Sequence, residues 1–441
     1  MTKLISFLDD YYLLIQGSIK NMEREHVYLR LNNTKLLSYK SLEDGTIIGT
    51  GILNPLIDKV SIIMMLIIQA GFYSAYKNLA RWRGYRVGNT FAPPVGSRPQ
   101  YRALIGLVKT NVLKRAFPVA MTFAVTYKCQ CKCIHCSAGK FARNGMAELS
   151  TKEAKRVIDE SQKLGVTIIA FTGGEPLLRE DIFELISYVD KKKAMPIMFT
   201  NGQYLTEKNV QKLHDSGLYS LFVSIDSHIP EDHDRFRGVS GLHKSAIEGI
   251  KRAKEKGIMV GFSSYATRTN ANHEVYKELY KLAQELKLHN FILFDGVPTG
   301  NMLKNMGEML TPDQREEIRR FSSDIFKDKK VPPLSSQSWQ NSIEANLAGI
   351  GCLAGNIQFY VSAYGDVTPC DFTPLSFGNV RKESLKKIWN RMVSHPAYDH
   401  KSSFCRMQNE KFRQCYIDQI PGDITLPYPV SKLPLIDYRK I

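Results

Sequence analysis

The chain has 441 residues, 43% apolar and 23% charged, so it can bury a sizeable core and hold more than one folding unit. Its excess of 17 positive charges suits an anionic partner, whether nucleic acid, a phospholipid surface or an acidic substrate, and selects none of them. Eight cysteines follow a start, Met1-Thr2-Lys3-Leu4-Ile5 and then Asp9-Asp10, with no evident cleavable signal; this speaks against a secreted disulfide scaffold and for a cytoplasmic protein with metal-binding thiols.

Residues 1–117 read as an irregular N-terminal extension. They contain an uncharged apolar run, Val60 to Tyr76, at the lower edge of the length that spans a bilayer and weakened by Ser61, Gln69 and Gly71. From residue 60 to 118 there is no Asp or Glu, while Lys77, Arg81, Arg83, Arg86, Arg98, Arg102, Lys109, Lys114 and Arg115 accumulate. Two readings stand side by side. One is a segment lying on an anionic membrane face, making the protein peripheral on the cytoplasmic side or docking its substrate there. The other is a buried helix followed by a basic linker, with a loop at Pro93-Pro94.

Residues 118–330 alternate short apolar runs with helical patterns. The predicted strands are Val119–Thr126, Thr167–Phe171, Pro196–Thr200, Leu221–Ile225, Met259–Tyr265 and Phe291–Phe294. Between them, Ser150 with Glu153 forms a capping box and Gly165 ends that helix; Thr206 opens a helix that Gly217 closes; Gly257 closes another; and Thr311-Pro312 with Gln314 opens a last one. The alternation predicts an α/β fold, a partial (β/α)6 TIM-like barrel whose site lies at the C-terminal ends of its strands. Residues 331–441 change character, with Pro332-Pro333, four spaced cysteines and a Pro-rich tail, and predict a small domain that needs a metal centre to fold.

The first predicted strand runs into Thr126-Tyr127-Lys128-Cys129-Gln130-Cys131-Lys132-Cys133-Ile134-His135-Cys136. Cys129, Cys133 and Cys136 fit C-x3-C-x2-C, while adding Cys131 would give four thiolates and a zinc reading, although structural zinc sites usually bring two separated pairs. Three ligands on an iron–sulfur cubane leave one iron open to an amine and a carboxylate. Here the sequence resembles the radical S-adenosylmethionine (SAM) superfamily, whose signature is this spacing after the first barrel strand. The resemblance implies a [4Fe–4S] cluster on Cys129, Cys133 and Cys136, with Cys131 a bystander and His135 packing where the family usually has an aromatic ring.

The strand ends that follow extend the likeness over about residues 115–420. Thr172-Gly173-Gly174-Glu175-Pro176 is similar to the family's segment for the SAM amino group, with Gly173 and Gly174 permitting close backbone approach and Glu175 able to take an ammonium. Thr200, Asn201, Ser224 and Asp226 stand at strand ends that in similar enzymes contact SAM, particularly its ribose. For Arg237, in Phe236-Arg237-Gly238, pairing with the SAM carboxylate and a structural salt bridge are equally open.

The second cysteine group resembles the start of the SPASM auxiliary-cluster extension: Cys352, then Gly365 and Cys370, then Gly378-Asn379-Val380. The full pattern asks for seven cysteines, whereas only Cys405 and Cys415 follow, with Ser402 and Lys411 in place of two others. The expectation is one auxiliary [4Fe–4S] cluster on Cys352, Cys370, Cys405 and Cys415, with structural zinc as the alternative.

What the resemblance implies is reduction of the first cluster by a flavodoxin or ferredoxin, reductive cleavage of SAM to a 5′-deoxyadenosyl radical, and hydrogen abstraction from a C–H bond. Asp295 and Asp371 are candidate proton donors or acceptors, or ordinary loop carboxylates. The acid-free span favours a hydrophobic small molecule or lipid as substrate. The alternative is maturation of a ribosomal peptide or peptide-derived cofactor; a non-catalytic iron–sulfur electron carrier is the reading from another class. No nucleic-acid recognition module is visible.

Overall fold

The computed structural model describes residues 26–31, 34–41, 47–51, 80–112, 116–340 except 144, 272 and 304, and 351–441 except 423. The apolar run Val60 to Tyr76 lies outside them. Among the described residues no helix is long and apolar enough to cross a membrane. The first strands, β1 (His26–Leu31), β2 (Thr34–Ser41) and β3 (Ile47–Gly51), make an antiparallel sheet of their own.

The core is a parallel sheet built from strands that the sequence marks to within two residues. They are β6 (Ala120–Thr126), β7 (Ile168–Gly173), β8 (Met195–Thr200), β9 (Ser220–Ser224), β10 (Met259–Ala266) and β11 (Asn290–Asp295), each paired in parallel with the next. Helical crossovers return the chain between them. In α2 (Thr151–Leu164), Ser150 and Glu153 close the expected reciprocal cap, and Gly165, at φ 118°, takes the left-handed turn that ends it. Its buried positions Ala154, Val157, Ile158 and Ser161 recur at helical spacing, which is why this face packs against the sheet. The Thr311–Gln314 capping box likewise opens α8 (Pro312–Lys327).

The sheet does not stop at residue 330. Strand β12 (Leu334–Ser336) adds in parallel to β11, and β13 (Gln358–Val361) adds in parallel to β6, followed by the antiparallel β14 (Val367–Thr368). The division expected there is therefore crossed by backbone hydrogen bonds on both edges of the barrel. Helix α9 (Leu385–Val393) buries Leu385, Ile388, Trp389 and Met392 and sets Trp389 5.6 Å from Phe359 on β13.

Much of the basic stretch is also tied to the barrel, where a free linker or membrane segment was one expectation. The hairpin β4 (Ala80–Trp82) and β5 (Tyr85–Val87) sits at the N-terminal ends of the parallel strands. Trp82 meets Tyr219 edge-on at 5.3 Å, and Phe91 packs on Phe199 and Phe222. The Tyr219 hydroxyl donates to Ala92 O at 3.0 Å, and Asn290 Nδ2 donates to Asn89 Oδ1 at 3.2 Å. Helix α1 (Arg98–Val112), in the stretch for which a membrane-face segment and a basic linker are the two expectations, is held to α2 by Arg102 Nη2 donating to Gln162 O at 2.6 Å. Residues 80–112 thus close the end of the barrel opposite the cysteine loop.

Candidate functional site

Thr126 ends β6, and the cysteine loop begins at once above the C-terminal ends of the strands. Two later segments clamp it. Lys132 N donates to Arg237 O at 2.9 Å, while Asn301 Nδ2 donates to Cys133 O and Asn301 N to Cys136 O, both at 3.0 Å. The fit is close enough that a Cβ on Gly300 would stand 2.1 Å from Cys136 O, and one on Gly139 would meet the Asn301 side chain.

Gly173 and Gly174 are required for the same reason. A Cβ on Gly173 would lie 2.0 Å from Thr126 O, and one on Gly174 2.2 Å from Lys128 O. The freed space lets Gly174 N donate to Thr126 O and Glu175 N to Lys128 O, locking the strand end to the loop. Glu175 is fully buried. Its carboxylate accepts from Thr200 Oγ1 at 2.8 and 2.9 Å, from Asn201 N at 2.8 Å and from Leu177 N at 3.1 Å. Burial pushes it up to about 7 against these donors. Glu175, Thr200 and Asn201 therefore form one hydrogen-bonded knot beside the loop.

Asp226 and Arg237 form a second knot. Arg237 Nε donates to Asp226 Oδ2 at 2.6 Å, Tyr265 N donates to Asp226 Oδ1 at 3.0 Å, and Arg237 Nη1 reaches Cys133 Sγ at 3.8 Å. Burial opposes both charges, yet the pair outweighs it: Asp226 is held down to about 2 and Arg237 is raised. The guanidinium thus takes the structural ion pair and also faces a cysteine. Ser224, at the end of β9, stands with its Oγ 3.5 Å from Ser263 Oγ.

His135 is buried between Phe236 and Tyr265, with ring centroids at 4.9 and 4.8 Å, and its Nε2 is 4.0 Å from Asp226 Oδ2. Burial holds it down to about 4, so it is a neutral packed ring at pH 7. Within the loop, the neighbouring Cys131 thiol lowers Cys129 and Cys133; Arg237 adds to the effect on Cys133, and burial raises Cys136 to about 11.

The donor set suits the expected groups. Thiolates are favoured at Cys129 and Cys133, as metal ligation requires. Around them, the buried Asn201 Nδ2 and His135 Nδ1 have no hydrogen-bond partner among the described residues, and so remain available to a polar ligand.

The C-terminal cysteines divide. Cys352, Cys370 and Cys405 act on one another electrostatically; burial raises Cys370 to about 12 and Cys405 well above its usual range. Thr373 Oγ1 stands 3.3 Å from Cys370 Sγ, and the N–H groups of Met407 and Gln408 donate to Cys405. Cys415, expected as a fourth ligand, sits in the π-helical turn Arg413–Ile417, and burial alone raises it. Neither cysteine group is drawn in around a single-ion position: among the described residues no three such side chains could hold one metal ion. The Thr373 hydroxyl at Cys370 and the backbone N–H groups at Cys405 are contacts that suit ligating thiolates.

Between the two cysteine groups lies a polar interior. Gln358 Nε2 donates to Asp371 Oδ1 at 3.0 Å and to Thr122 Oγ1 at 3.3 Å, across the seam between β13 and β6. Asp295, ending β11, accepts from Ser338 Oγ at 2.6 Å. Burial lifts both carboxyls to about 6. Tyr265 feels Asp295, Cys405 and Asp371, while Tyr360 feels Asp371 and Cys136 and shares a 2.7 Å hydroxyl contact with Tyr127. Tyr265, Tyr360 and Asn301 were not singled out from the sequence, where each looks like an ordinary strand or loop residue.

The comparisons with known proteins agree with this geometry. Residues 123–286 match the family model of the radical SAM superfamily, and residues 352–416 match that of an iron–sulfur cluster-binding domain, SPASM. The chain is 31% identical over 313 residues to the AdoMet-dependent heme synthase of Oleidesulfovibrio alaskensis, covering 66% of this chain and 80% of that protein. It is 27% identical over 344 residues to the PqqA peptide cyclase of Rhizobium meliloti, covering 73% and 88%. The structure of Streptococcus suis SuiB bound to precursor peptide SuiA shares the fold, with a TM-score of 0.51 at 20% identity over 66% of this chain and 68% of that one. The chain belongs to the radical SAM superfamily, an enzyme with a SAM-binding [4Fe–4S] cluster and a C-terminal SPASM iron–sulfur domain.

Proposed function

We propose that this enzyme matures a polar precursor, a peptide or a cofactor intermediate, rather than a membrane lipid. The observation that carries this reading is the pair Asp295 and Asp371, set on the interior between the two cysteine groups. A hydrocarbon substrate would bury such carboxyls against groups that cannot hydrogen-bond, at a cost of a few kcal/mol each. An amide-, amine- or carboxyl-bearing substrate satisfies them. The likeness to a heme synthase and to a peptide cyclase supports the same choice. The membrane argument loses part of its basis, because Arg81, Arg86, Arg98 and Arg102 belong to the segment that closes the barrel.

Cys129, Cys133 and Cys136 would hold the cluster that, with SAM bound, supplies a 5′-deoxyadenosyl radical. Arg237 offsets the negative charge of the loop at Cys133. Gly173 and Gly174 bring the strand end against the loop, and Asn201 Nδ2 and His135 Nδ1 offer free polar contacts to SAM. Asp295 and Asp371, lifted to about 6 by burial, would each hold or release a proton near that pH. Cys352, Cys370 and Cys405, with Cys415 as fourth ligand, would hold the auxiliary cluster. A flavodoxin or ferredoxin would supply the electron.

The test is anaerobic. Reduced, cluster-loaded enzyme with SAM is given a linear precursor peptide, an iron porphyrin bearing propionates, or anionic phospholipid vesicles, and 5′-deoxyadenosine is measured. Stimulation by the peptide or porphyrin and not by vesicles supports the proposal. Stimulation by vesicles alone overturns it.

A further inference from the structure

Arg406 is fully buried, yet no carboxylate among the described residues pairs with it. Its Nε donates to Ala397 O at 2.8 Å and its Nη2 to His400 O at 2.5 Å, and its guanidinium lies 4.9 Å over the Tyr398 ring. Nη1 is buried with no hydrogen-bond partner among the described residues. Burying a guanidinium costs several kcal/mol unless an anion compensates, and carbonyl oxygens with one ring supply only part of that. The group that favours its charge most is the Cys352 sulfur, and the same Tyr398 ring feels Cys352 and Cys370. The backbone fixes this approach: Cys352 N donates to Ser402 O at 2.8 Å, and Arg406 follows Cys405 directly, so one short segment brings the cation and two of the thiols together.

We propose that Arg406 is the built-in counter-charge of the auxiliary iron–sulfur site. Its charge, with Nη1 left unpartnered among the described residues, makes the cluster held through Cys352 easier to reduce. This is a positioning role, exerted through Cys352 and not on substrate. It rests on Cys352 being an auxiliary-cluster ligand. Positive charge and hydrogen bonds at ligand sulfurs stabilise the reduced, more negative state and raise the potential. The sequence offers no hint of it, since an arginine after a cysteine is most often a solvated side chain.

The test is an EPR-monitored redox titration of the anaerobic holoenzyme, with iron counted in parallel. In iron-replete Arg406→Gln, the auxiliary midpoint should fall by at least about 59 mV, a tenfold change in the one-electron equilibrium. The SAM-binding cluster should be unmoved, and Arg406→Lys should lie between. If Arg406→Gln cannot retain its auxiliary iron, retention by Arg406→Lys supports the charge requirement. An unchanged midpoint in iron-replete Arg406→Gln overturns the proposal, as does equal loss of auxiliary iron from both variants. Cys352→Ala tests the underlying ligand assignment separately: auxiliary iron undiminished in that variant removes the premise, whatever Arg406 does.

Discussion

Arg237 stands 2.6 Å from Asp226 Oδ2 through Nε and 3.8 Å from Cys133 Sγ through Nη1, so one guanidinium joins the end of β9 to the cysteine loop. Asp226 passes the tie onward to β10 by accepting from Tyr265 N. Asp226→Asn leaves Arg237 buried without its carboxylate. The expected cost is about 3–5 kcal/mol in anaerobic chemical denaturation. A loss below about 1 kcal/mol would show that the pair does not organise this end of the barrel.

Gly174→Ala puts a methyl group where Lys128 O stands, 2.2 Å from the ideal Cβ. Backbone on both sides leaves no flexible neighbour to yield. The cysteine loop should shift, and the variant should lose the SAM-binding cluster while keeping the auxiliary one, about half of the wild-type iron. Full iron content with an unaltered EPR signal of the SAM-binding cluster would contradict the close approach.

Acid should weaken the fold through His233. Its Nδ1 accepts the Asp226 N–H at 3.2 Å, which requires that nitrogen to be unprotonated, and burial holds the ring down to about 4. The unfolded ring titrates near 6.5, so between those values the unfolded chain binds the extra proton. The contribution is whole above about 6.5 and is lost progressively as pH falls toward 4, on the order of 3 kcal/mol. His233→Asn, which can accept the same N–H without titrating, should flatten the decline in unfolding free energy across that window. An unchanged slope would show that His233 does not carry it.

Removing residues 1–112 should uncover Tyr219, Phe222, Met195 and Ile197 at the N-terminal ends of the strands and produce aggregation visible by light scattering. Removing only residues 1–79 leaves β4, β5 and α1 in place and should preserve solubility. Equal behaviour of the two truncations would contradict the closing role of residues 80–112.

The barrel was legible because each of its strands is a short apolar run and its helices carry local punctuation such as Ser150, Gly165 and Thr311. The cysteine loop and Gly173-Gly174-Glu175 were legible because close approach and ligation restrict residue choice. Helix α1 was missed although Ser97 caps its start through Gln100 N, because its positive charge looks the same on a solvated linker. The edge strands β12 and β13 were missed because they are short and their partners are far away in sequence. Arg406 and Tyr360 gain their meaning only from what the fold sets beside them, and no spacing in the chain announces that. Cys415, expected as the fourth ligand from the SPASM resemblance, lies in the turn Arg413–Ile417, and its ligation stays a proposal.

The central claim, two separate iron–sulfur sites facing one polar interior, is tested most directly by counting iron in the anaerobic protein and two triple variants. Wild type should hold about eight iron atoms per chain, and Cys129/Cys133/Cys136→Ala and Cys352/Cys370/Cys405→Ala about four each, with different EPR signals left behind. About four iron atoms in the wild type, or loss of all iron from either variant, would contradict two independent sites.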